Sequence, residues 1–430
     1  MVEWGIIIGA FAILLLFIIG APVFVSIGLG TMLILELTEN QYMLPNLGQA
    51  SFEGLNAFAF LAIPLYILTG DIVSRTGVAS ALLDLAKSIL GSIRGGLSAT
   101  VLLACGFFAA ISGSNASDAA VFSRLTIPEL EKRGYPRAYS AALVAAGGST
   151  AILIPPSVGY ILLGYVIKLS VADLFLATIL PGILVLTVMI IINFIYVNYQ
   201  GFETVGEEKR FSFKEVLINL WRSKIGLLFP VIILGGIYSG VFTPTEAGAI
   251  AVAIGLIYGI LTKKLNFPQY CDILRSSGIV CGVVMPIMAI AYFFGQTLTY
   301  FETQKIIMNA VLSITKNPLM IMVMIFVVLF IMGTFIDFVP NVLILGPLLL
   351  PVAVNIGMNP YHFGIWFMFT LAIGFITPPY GFNLFVVSSI SGESILSVSR
   401  RVAPFVIAMI ITNIIIALIP GLSLWILGGK

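Results

Sequence analysis

The chain consists mostly of long hydrophobic runs whose positions do not alternate with polar ones. Runs near residues 5–20, 22–37 and 56–72 approach the length of about 20 residues that a helix needs to cross a bilayer. A half-buried strand would show a period of two, which these runs lack. Only helices and closed barrels satisfy their backbone groups inside lipid. The pattern therefore predicts an all-α polytopic membrane protein.

Prolines recur at matched positions in the two halves of the sequence. Six pairs lie 222 or 223 positions apart: Pro22 and Pro244, Pro64 and Pro286, Pro128 and Pro351, Pro155 and Pro378, Pro156 and Pro379, and Pro181 and Pro404. A fixed register of this kind indicates an internal repeat. We predict one copy at 1–198 and a second at 225–430, joined by the charged segment 199–224.

Each copy is predicted to contain the same series of segments. The first copy has three spans, an amphipathic segment, a hairpin, a broken span and a closing span. After the three runs given above, these segments fall near 78–93, 96–127, 138–167 and 174–198. The second copy begins near residue 225 and ends with a span predicted at 403–428.

The distribution of Lys and Arg indicates that the two copies are inverted. The segment 124–137 carries four basic residues, whereas its counterpart 347–360 carries none. Conversely, 38–54 has no basic residue, while its counterpart 263–275 has three. Because cytoplasmic loops collect Lys and Arg, equivalent loops lie on opposite sides. We therefore predict five crossings per copy, a cytoplasmic connecting helix at 199–224, and both termini outside the cytoplasm.

Composition removes several classes of function. Of 430 residues, 60% are hydrophobic and 9% are charged, against about 25% charged in soluble domains. A net charge of +2 does not suggest a nucleic-acid partner. Cys105, Cys271, Cys281 and His362 form no metal or catalytic motif, so an intramembrane enzyme is the weaker alternative. A phosphate-binding loop is also missing from the sequence, so we do not expect this chain to use ATP.

Each predicted hairpin turns at a polar cluster. The first lies at 112–118 and the second at 333–341, and each contains an acidic residue, Asp118 or Asp337. An Asp near the bilayer centre costs about 2.5 to 3.5 kcal/mol on insertion scales, so it needs a partner or a wet cavity. The alternative is that these residues only cap the helices that begin at the turns. The apolar runs on either side of each turn are short for full spans. We therefore predict two re-entrant hairpins that enter the membrane from opposite sides.

The broken spans carry paired prolines within 149–157 and 374–383. Each pair removes two amide donors and disfavours helix just before it, so the helix opens there. Unwound carbonyls in a protein-lined cavity bind cations in membrane transporters. The hydroxyl, amide and carbonyl oxygens of these four motifs suit a hard cation such as sodium. A structural kink without function is the alternative for each break.

Together these motifs resemble the large membrane subunit of tripartite ATP-independent periplasmic (TRAP) transporters. The resemblance rests on 112–118, 153–157, 333–340 and 374–381, and it extends over the whole chain. It implies a sodium-driven elevator mechanism in a bacterial inner membrane. It also implies two partners, a small four-helix membrane subunit and a periplasmic substrate-binding protein, and this chain is similar to the form in which the small subunit is not fused.

The resemblance also assigns parts of the chain to roles. The scaffold would comprise 1–72 and 225–298, and the transport domain would comprise 95–198 and 318–430. Two or more sodium ions would be held by Ser112, Asn115, Ser117, Gly333, Thr334, Asp337 and Thr377. The substrate would lie near Ser114, Ser157 and Asn383. The family carries organic acid anions, including C4-dicarboxylates and sialic or related sugar acids, and the sequence does not indicate which.

Two other hypotheses come from the sequence itself. One is an ion channel or a membrane subunit of a respiratory complex, which would share the hydrophobic pattern. Sodium-dependent uptake that saturates and needs the soluble binding protein would exclude it. The other concerns Arg124, which follows the first hairpin and would either attract an anionic substrate or anchor the cytoplasmic topology.

Overall fold

Apolar runs fold into helices throughout the computed structural model, which describes residues 2–202 and 211–428. Every regular element in these two ranges is helical. The first range contains α1 Val2–Ile18, α2 Val23–Leu37, α3 Leu47–Leu55, α4 Ala62–Arg75, α5 Val78–Leu90, α6 Gly96–Ser112, α7 Asn115–Lys132, α8 Arg137–Ser149, α9 Val158–Val166 and α10 Val171–Gln200. Short 3-10 turns occur at Gln41–Asn46, Phe58–Leu61 and Thr150–Ile152.

The second range is also composed of helices of very different lengths. It contains α11 Phe213–Arg222, α12 Lys224–Tyr238, α13 Pro244–Leu261, α14 Phe267–Tyr300, α15 Thr303–Ile314, α16 Pro318–Phe335, α17 Phe338–Asn355, α18 Pro360–Gly374, α19 Phe382–Ser391, α20 Ile395–Leu418 and α21 Gly421–Leu424. The starts of α6 and α16 are 222 positions apart, and those of α7 and α17 are 223 apart.

Several helices are long and apolar enough to cross a bilayer. Among the described residues there are six, namely α10, α13, α14, α16, α17 and α20, or seven if α11 and α12, which meet at a bend of 65°, form one span. Large apolar side chains stay exposed on the outer helices, for example Trp4 at 69% and Phe11 at 65%. Lipid solvates such surfaces as well as a protein interior does. The predicted all-α polytopic architecture is confirmed.

The boundaries differ from the predicted ones at the end of the chain. The predicted closing span at 403–428 is wrong, because α20 already begins at Ile395 and ends at Leu418, and Pro420 then precedes the separate helix α21. Within the predicted connecting helix 199–224, α10 continues to Gln200 and α11 covers Phe213–Arg222. Residues 203–210 of that prediction lie outside the described residues.

Two sets of helices pack mainly among themselves. In the first, α4 packs against α13 and α14, and α14 also packs against α2 and α3. In the second, α8 packs against α6, α7, α19 and α20, while α18 packs against α16, α17 and α10. The sets meet where α4 contacts α6 and where α14 contacts α17. The hairpins α6–α7 and α16–α17 therefore lie at the boundary between the sets.

Helices from the two halves of the chain exchange partners at the centre of the second set. Helix α7 of the first hairpin packs against α19, and α17 of the second hairpin packs against α9. Both α9 and α19 follow a paired proline. Each hairpin thus contacts the short helix that belongs to the other half, which brings both tips and both breaks together.

Candidate cation and substrate site

The first hairpin tip contacts the first helix break directly. Helix α6 ends at Ser112, and Gly113 turns the chain with φ of +57°. A Cβ at Gly113 would lie 3.2 Å from the carbonyl oxygen of Pro156 and 3.3 Å from the amide nitrogen of Val158. Both the left-handed backbone and this close approach favour glycine. The tip is therefore seated on the break between α8 and α9.

Asp118 is buried beside this tip and is only partly satisfied. The Ser112 hydroxyl donates a hydrogen bond to Asp118 Oδ1, while Asp118 Oδ2 is buried and has no hydrogen-bond partner among the described residues. The cap of α7 is instead Ser114, whose Oγ accepts from the amide of Ser117 at 3.5 Å. Asp118 is thus not the residue that caps α7. A buried polar oxygen without a partner is rare and requires an explanation, such as a bound ion.

The first break separates α8 from α9 and is bridged by a serine side chain. Helix α8 ends at Ser149, and the bond between Pro155 and Pro156 is cis. Ser157 then caps α9, since its Oγ accepts from the amide of Gly159 at 3.2 Å and donates to the carbonyl of Ile152 at 3.0 Å. The side chain of Ser157 is fully buried and holds the two sides of the break together.

The second hairpin tip also contains a carboxylate with a buried oxygen. Half-buried Asp337 lies between α16 and α17 at the N-cap position, yet its side chain makes no capping hydrogen bond, and its buried Oδ1 has no hydrogen-bond partner within residues 2–202 and 211–428. Asn341 fixes the turn because its Nδ2 donates to the carbonyls of Ile336 at 2.9 Å and of Asp337 at 3.1 Å. The tip is held by an amide, which leaves the carboxylate oxygen available.

The second tip and the second break touch through their backbones. A Cβ at Gly374, the last residue of α18, would lie 2.3 Å from the carbonyl carbon of Gly333 in α16. The amide of Gly381 donates to the carbonyl of Thr334 at 3.1 Å. Between them, Thr377 donates its hydroxyl to the carbonyl of Ile373 at 2.7 Å. The backbone of the break is thus bonded to the end of the hairpin.

Two asparagines connect the halves. Asn115 Nδ2, at the start of α7, donates to Asn383 Oδ1 at 3.3 Å, and Asn383 Nδ2 donates to the carbonyl of Ala145 at 3.1 Å. Both side chains are buried. The first tip, the helix after the second break and α8 are therefore linked by amide groups.

A cavity of 240 Å³ opens beside the second tip. Thr334 and Asp337 contribute polar atoms to it, and the aromatic rings of Phe335, Tyr380 and Phe385 form much of the remaining wall. Two of these rings contact each other, since Phe335 and Tyr380 are tilted at 50° with their centroids 5.9 Å apart. The cavity can therefore present a carboxylate and a hydroxyl next to an aromatic surface.

The predicted sodium residues fall into two groups in the structure. Ser112, Asn115 and Ser117 lie at the first tip, and Gly333, Thr334, Asp337 and Thr377 lie at the second tip and its adjoining break. Of the predicted substrate residues, Ser114 caps α7, while Ser157 and Asn383 are buried and hydrogen-bonded. The aromatic residues of the cavity wall were not predicted. The aromatic residues within 380–385, directly after the paired prolines, are a sequence feature from which part of this wall could have been predicted.

The donor atoms at both tips are oxygens. Among residues 2–202 and 211–428, no group of three or more His, Cys, Asp or Glu side chains could hold a metal ion. What the tips offer instead is one carboxylate each, hydroxyls, amides and unwound carbonyls. Oxygen ligands of these kinds suit hard cations, which transporters with discontinuous helices bind in the same way.

A polytopic helical membrane protein with two hairpin tips seated on two broken helices has the architecture of a secondary transporter. The profile of the family described as "Tripartite ATP-independent periplasmic transporter, DctM component" matches residues 10–422. The chain belongs to this family, which confirms the resemblance found in its motifs. The family comprises transporter permeases.

Several relatives align with most of this chain. The C4-dicarboxylate TRAP transporter large permease protein DctM of Pseudomonas aeruginosa is 35% identical over 374 residues, 87% of each chain. The sialic acid TRAP transporter large permease protein SiaM of Vibrio cholerae is 31% identical over 377 residues, 87% of this chain and 88% of that protein. The isethionate TRAP transporter permease protein DctMQ of Oleidesulfovibrio alaskensis is 34% identical over 424 residues, 98% of this chain but only 66% of that protein.

Two solved structures have a similar fold. The Alcanivorax borkumensis YdaH transporter superposes with a TM-score of 0.63 over 90% of this chain and 89% of that one, at 14% identity. The Neisseria gonorrhoeae MtrF structure superposes with a TM-score of 0.62 over 89% of this chain and 84% of that one, also at 14% identity. At this identity the likeness concerns the fold alone.

Proposed function

We propose that this chain is the large membrane subunit of a sodium-coupled importer of a small organic acid anion. The observation that carries the proposal is a pair of carboxylates, buried Asp118 and half-buried Asp337, each at a hairpin tip that contacts a broken helix. One oxygen of each is buried and has no hydrogen-bond partner among the described residues. A monovalent cation bound at Asp337 would satisfy its unpaired oxygen, and a second cation near Asp118 would neutralise the buried charge of that carboxylate.

Two cation sites follow from this arrangement. The first uses Ser112, Asn115 and Ser117 with carbonyls of the first break, and Asp118 stands behind Ser112 as a source of negative charge. The second uses Asp337 and Thr334, the backbone at Gly333, and the break at Thr377. We assign one sodium ion to each site, and the gradient of both ions drives uptake.

An inverted repeat and an elevator movement are part of the proposal. They are supported by the recurrence of helix starts at 222 to 223 positions, the exchange of α9 and α19 between hairpins, and the two separately packed sets of helices. The scaffold comprises 1–72 and 225–298, and the transport domain comprises 95–198 and 318–430. Movement of the transport domain past the scaffold carries sodium and substrate across a bacterial inner membrane. Both termini lie on the periplasmic side.

The substrate is a small organic acid, because the relatives are named for C4-dicarboxylate, sialic acid and isethionate. Substrate lies between the tips, near Ser114, Ser157 and Asn383. The 34% of the DctMQ relative outside the match leaves room for a fused small subunit. We therefore assign two partners to this chain, a small membrane subunit and a periplasmic binding protein that delivers the anion.

The test is reconstitution in liposomes with the small subunit and candidate acids bound to their binding proteins. We expect uptake that saturates, requires inward sodium and stops when the binding protein is omitted. Flux that is linear with concentration and independent of the binding protein would indicate the channel alternative. Saturable uptake that is unchanged when choline replaces sodium would overturn the sodium coupling.

A further inference from the structure

A second cavity, of 870 Å³, lies between the two sets of helices and away from the hairpin tips. Tyr292 and Gln296 of α14 form one wall, and Tyr165 at the end of α9 and Pro347 of α17 form the opposite wall. Leu343, the cavity residue nearest to Asp337 along α17, is six residues further on, a rise of about 9 Å. The cavity is therefore separate from the proposed cation sites.

One charged side chain faces this cavity. Lys168 follows α9 in a left-handed conformation with φ of +58°, is exposed, and lines the wall. None of the described residues in the lining is acidic, and none of the ion pairs in the described part of the chain includes Lys168. A left-handed residue directly after a helix C-cap is a common way to end a helix. Lys168 thus places an exposed cation beside a lining in which the described residues include no acidic side chain.

We propose that this cavity is a second binding site, for a small carboxylic acid anion with an aromatic or apolar body. Lys168 pairs with the carboxylate, and the rings of Tyr165 and Tyr292 contact the body of the molecule. The volume lies within the range of about 300 to 1,000 Å³ typical of sites for small molecules, which favours a soluble acid over a lipid. Because one wall belongs to α14 and the other to α9 and α17, the ligand bridges the two sets of helices.

Benzoate is a suitable probe, and the site can be monitored through a cysteine in its wall. Gln296→Cys is made in the full chain after replacing the native thiols by Cys105→Ala, Cys271→Ser and Cys281→Ser. Gln296 is exposed, so the new thiol is accessible to a maleimide. We expect benzoate to slow its labelling in purified protein. Adding Lys168→Gln should raise the benzoate concentration for half-protection about two- to fivefold, the range of an exposed ion pair.

Lys316→Gln is the matched control, because Lys316 is also exposed but does not line the cavity. It should leave protection unchanged. The proposal would be overturned if benzoate did not slow the labelling. It would also be overturned if Lys168→Gln and Lys316→Gln weakened the protection by benzoate to the same extent. Protection by anionic-lipid nanodiscs that benzoate cannot compete with would assign the cavity to lipid and also overturn it. Benzoate should still protect the thiol when Asp337→Asn is added, because Asp337 does not line this cavity. A failed prediction for this cavity can therefore be distinguished from a failed prediction of sodium coupling.

Discussion

Gly333 and Gly374 let the backbones of α16 and α18 touch at the second hairpin tip. Since a Cβ at Gly374 would lie 2.3 Å from a backbone carbon, no side-chain rotation can relieve the contact. We expect Gly374→Ala to separate the tip from its break and to destabilise the protein by about 1 to 3 kcal/mol, as overpacking does. Gly278→Ala in α14 is the control, because no atom outside its own helix lies within 4 Å of that Cβ. Thermal unfolding in detergent measures the stability of both variants. Equal unfolding midpoints for Gly374→Ala and Gly278→Ala would contradict the expected clash.

Asp337 is half-buried, and its Oδ1 is buried without a hydrogen-bond partner in the part of the chain that the structure describes. A cation is the partner we propose for it. Asp337→Asn keeps the shape but removes the charge. Losing a charged contact of about 1.5 kcal/mol should raise the sodium concentration for half-maximal uptake about tenfold. Asp272→Asn, at an exposed position of α14, removes the same charge away from the tips and should have no effect. If the two variants show the same sodium dependence, Asp337 is not a sodium ligand.

At the level of elements, the bond between Asn115 and Asn383 joins α7 to α19 across the halves of the chain. A double-mutant cycle with Asn115→Ala and Asn383→Ala separates this link from the other bond of Asn383 to Ala145. We expect a coupling of about 1 kcal/mol in unfolding free energy, since a buried hydrogen bond typically contributes that amount. Strictly additive effects of the two substitutions would show that the two halves are not joined there.

Helix breaks and hairpin turns were predictable from the sequence because proline and glycine act locally. Paired prolines located both breaks, and Gly113 with its polar neighbours located the first turn. The closing span failed because a hydrophobic run continues past Pro420, so composition alone did not show where α20 ends. The partners of Asp118 and the aromatic wall around Tyr380 depend on long-range packing, which no local pattern encodes.

At the scale of the whole molecule, the proposed coupling to two sodium ions would make transport of a monoanion electrogenic. The net inward charge of +1 gains about 2.3 kcal/mol from a potential of 100 mV, negative inside. We therefore expect a potassium-valinomycin potential of that sign to increase the uptake of a monoanion into liposomes. A transported dianion should show no such increase with two sodium ions. Voltage-independent uptake of a monoanion would limit the coupling to one ion.

The proposed elevator movement of one set of helices past the other predicts that a covalent bond between the sets arrests transport. An ideal Cβ at Gly70 in α4 would lie 3.5 Å from the Cβ of Ser112 in α6, a separation that permits a disulfide. We expect Gly70→Cys with Ser112→Cys, in a background without native cysteines, to lose uptake on oxidation and to regain it on reduction.

A bond within the scaffold provides the comparison, because Gly248 and Leu65 connect α13 to α4, with 3.2 Å between an ideal Cβ and the Leu65 Cβ. Oxidation of Gly248→Cys with Leu65→Cys should leave uptake intact. Since Ser112 is also a proposed sodium ligand, the rate of disulfide formation at Gly70 and Ser112 serves as a second measurement. A moving transport domain makes that rate depend on sodium and substrate, whereas full uptake by the oxidised Gly70 and Ser112 pair would rule out an elevator that separates α4 from α6.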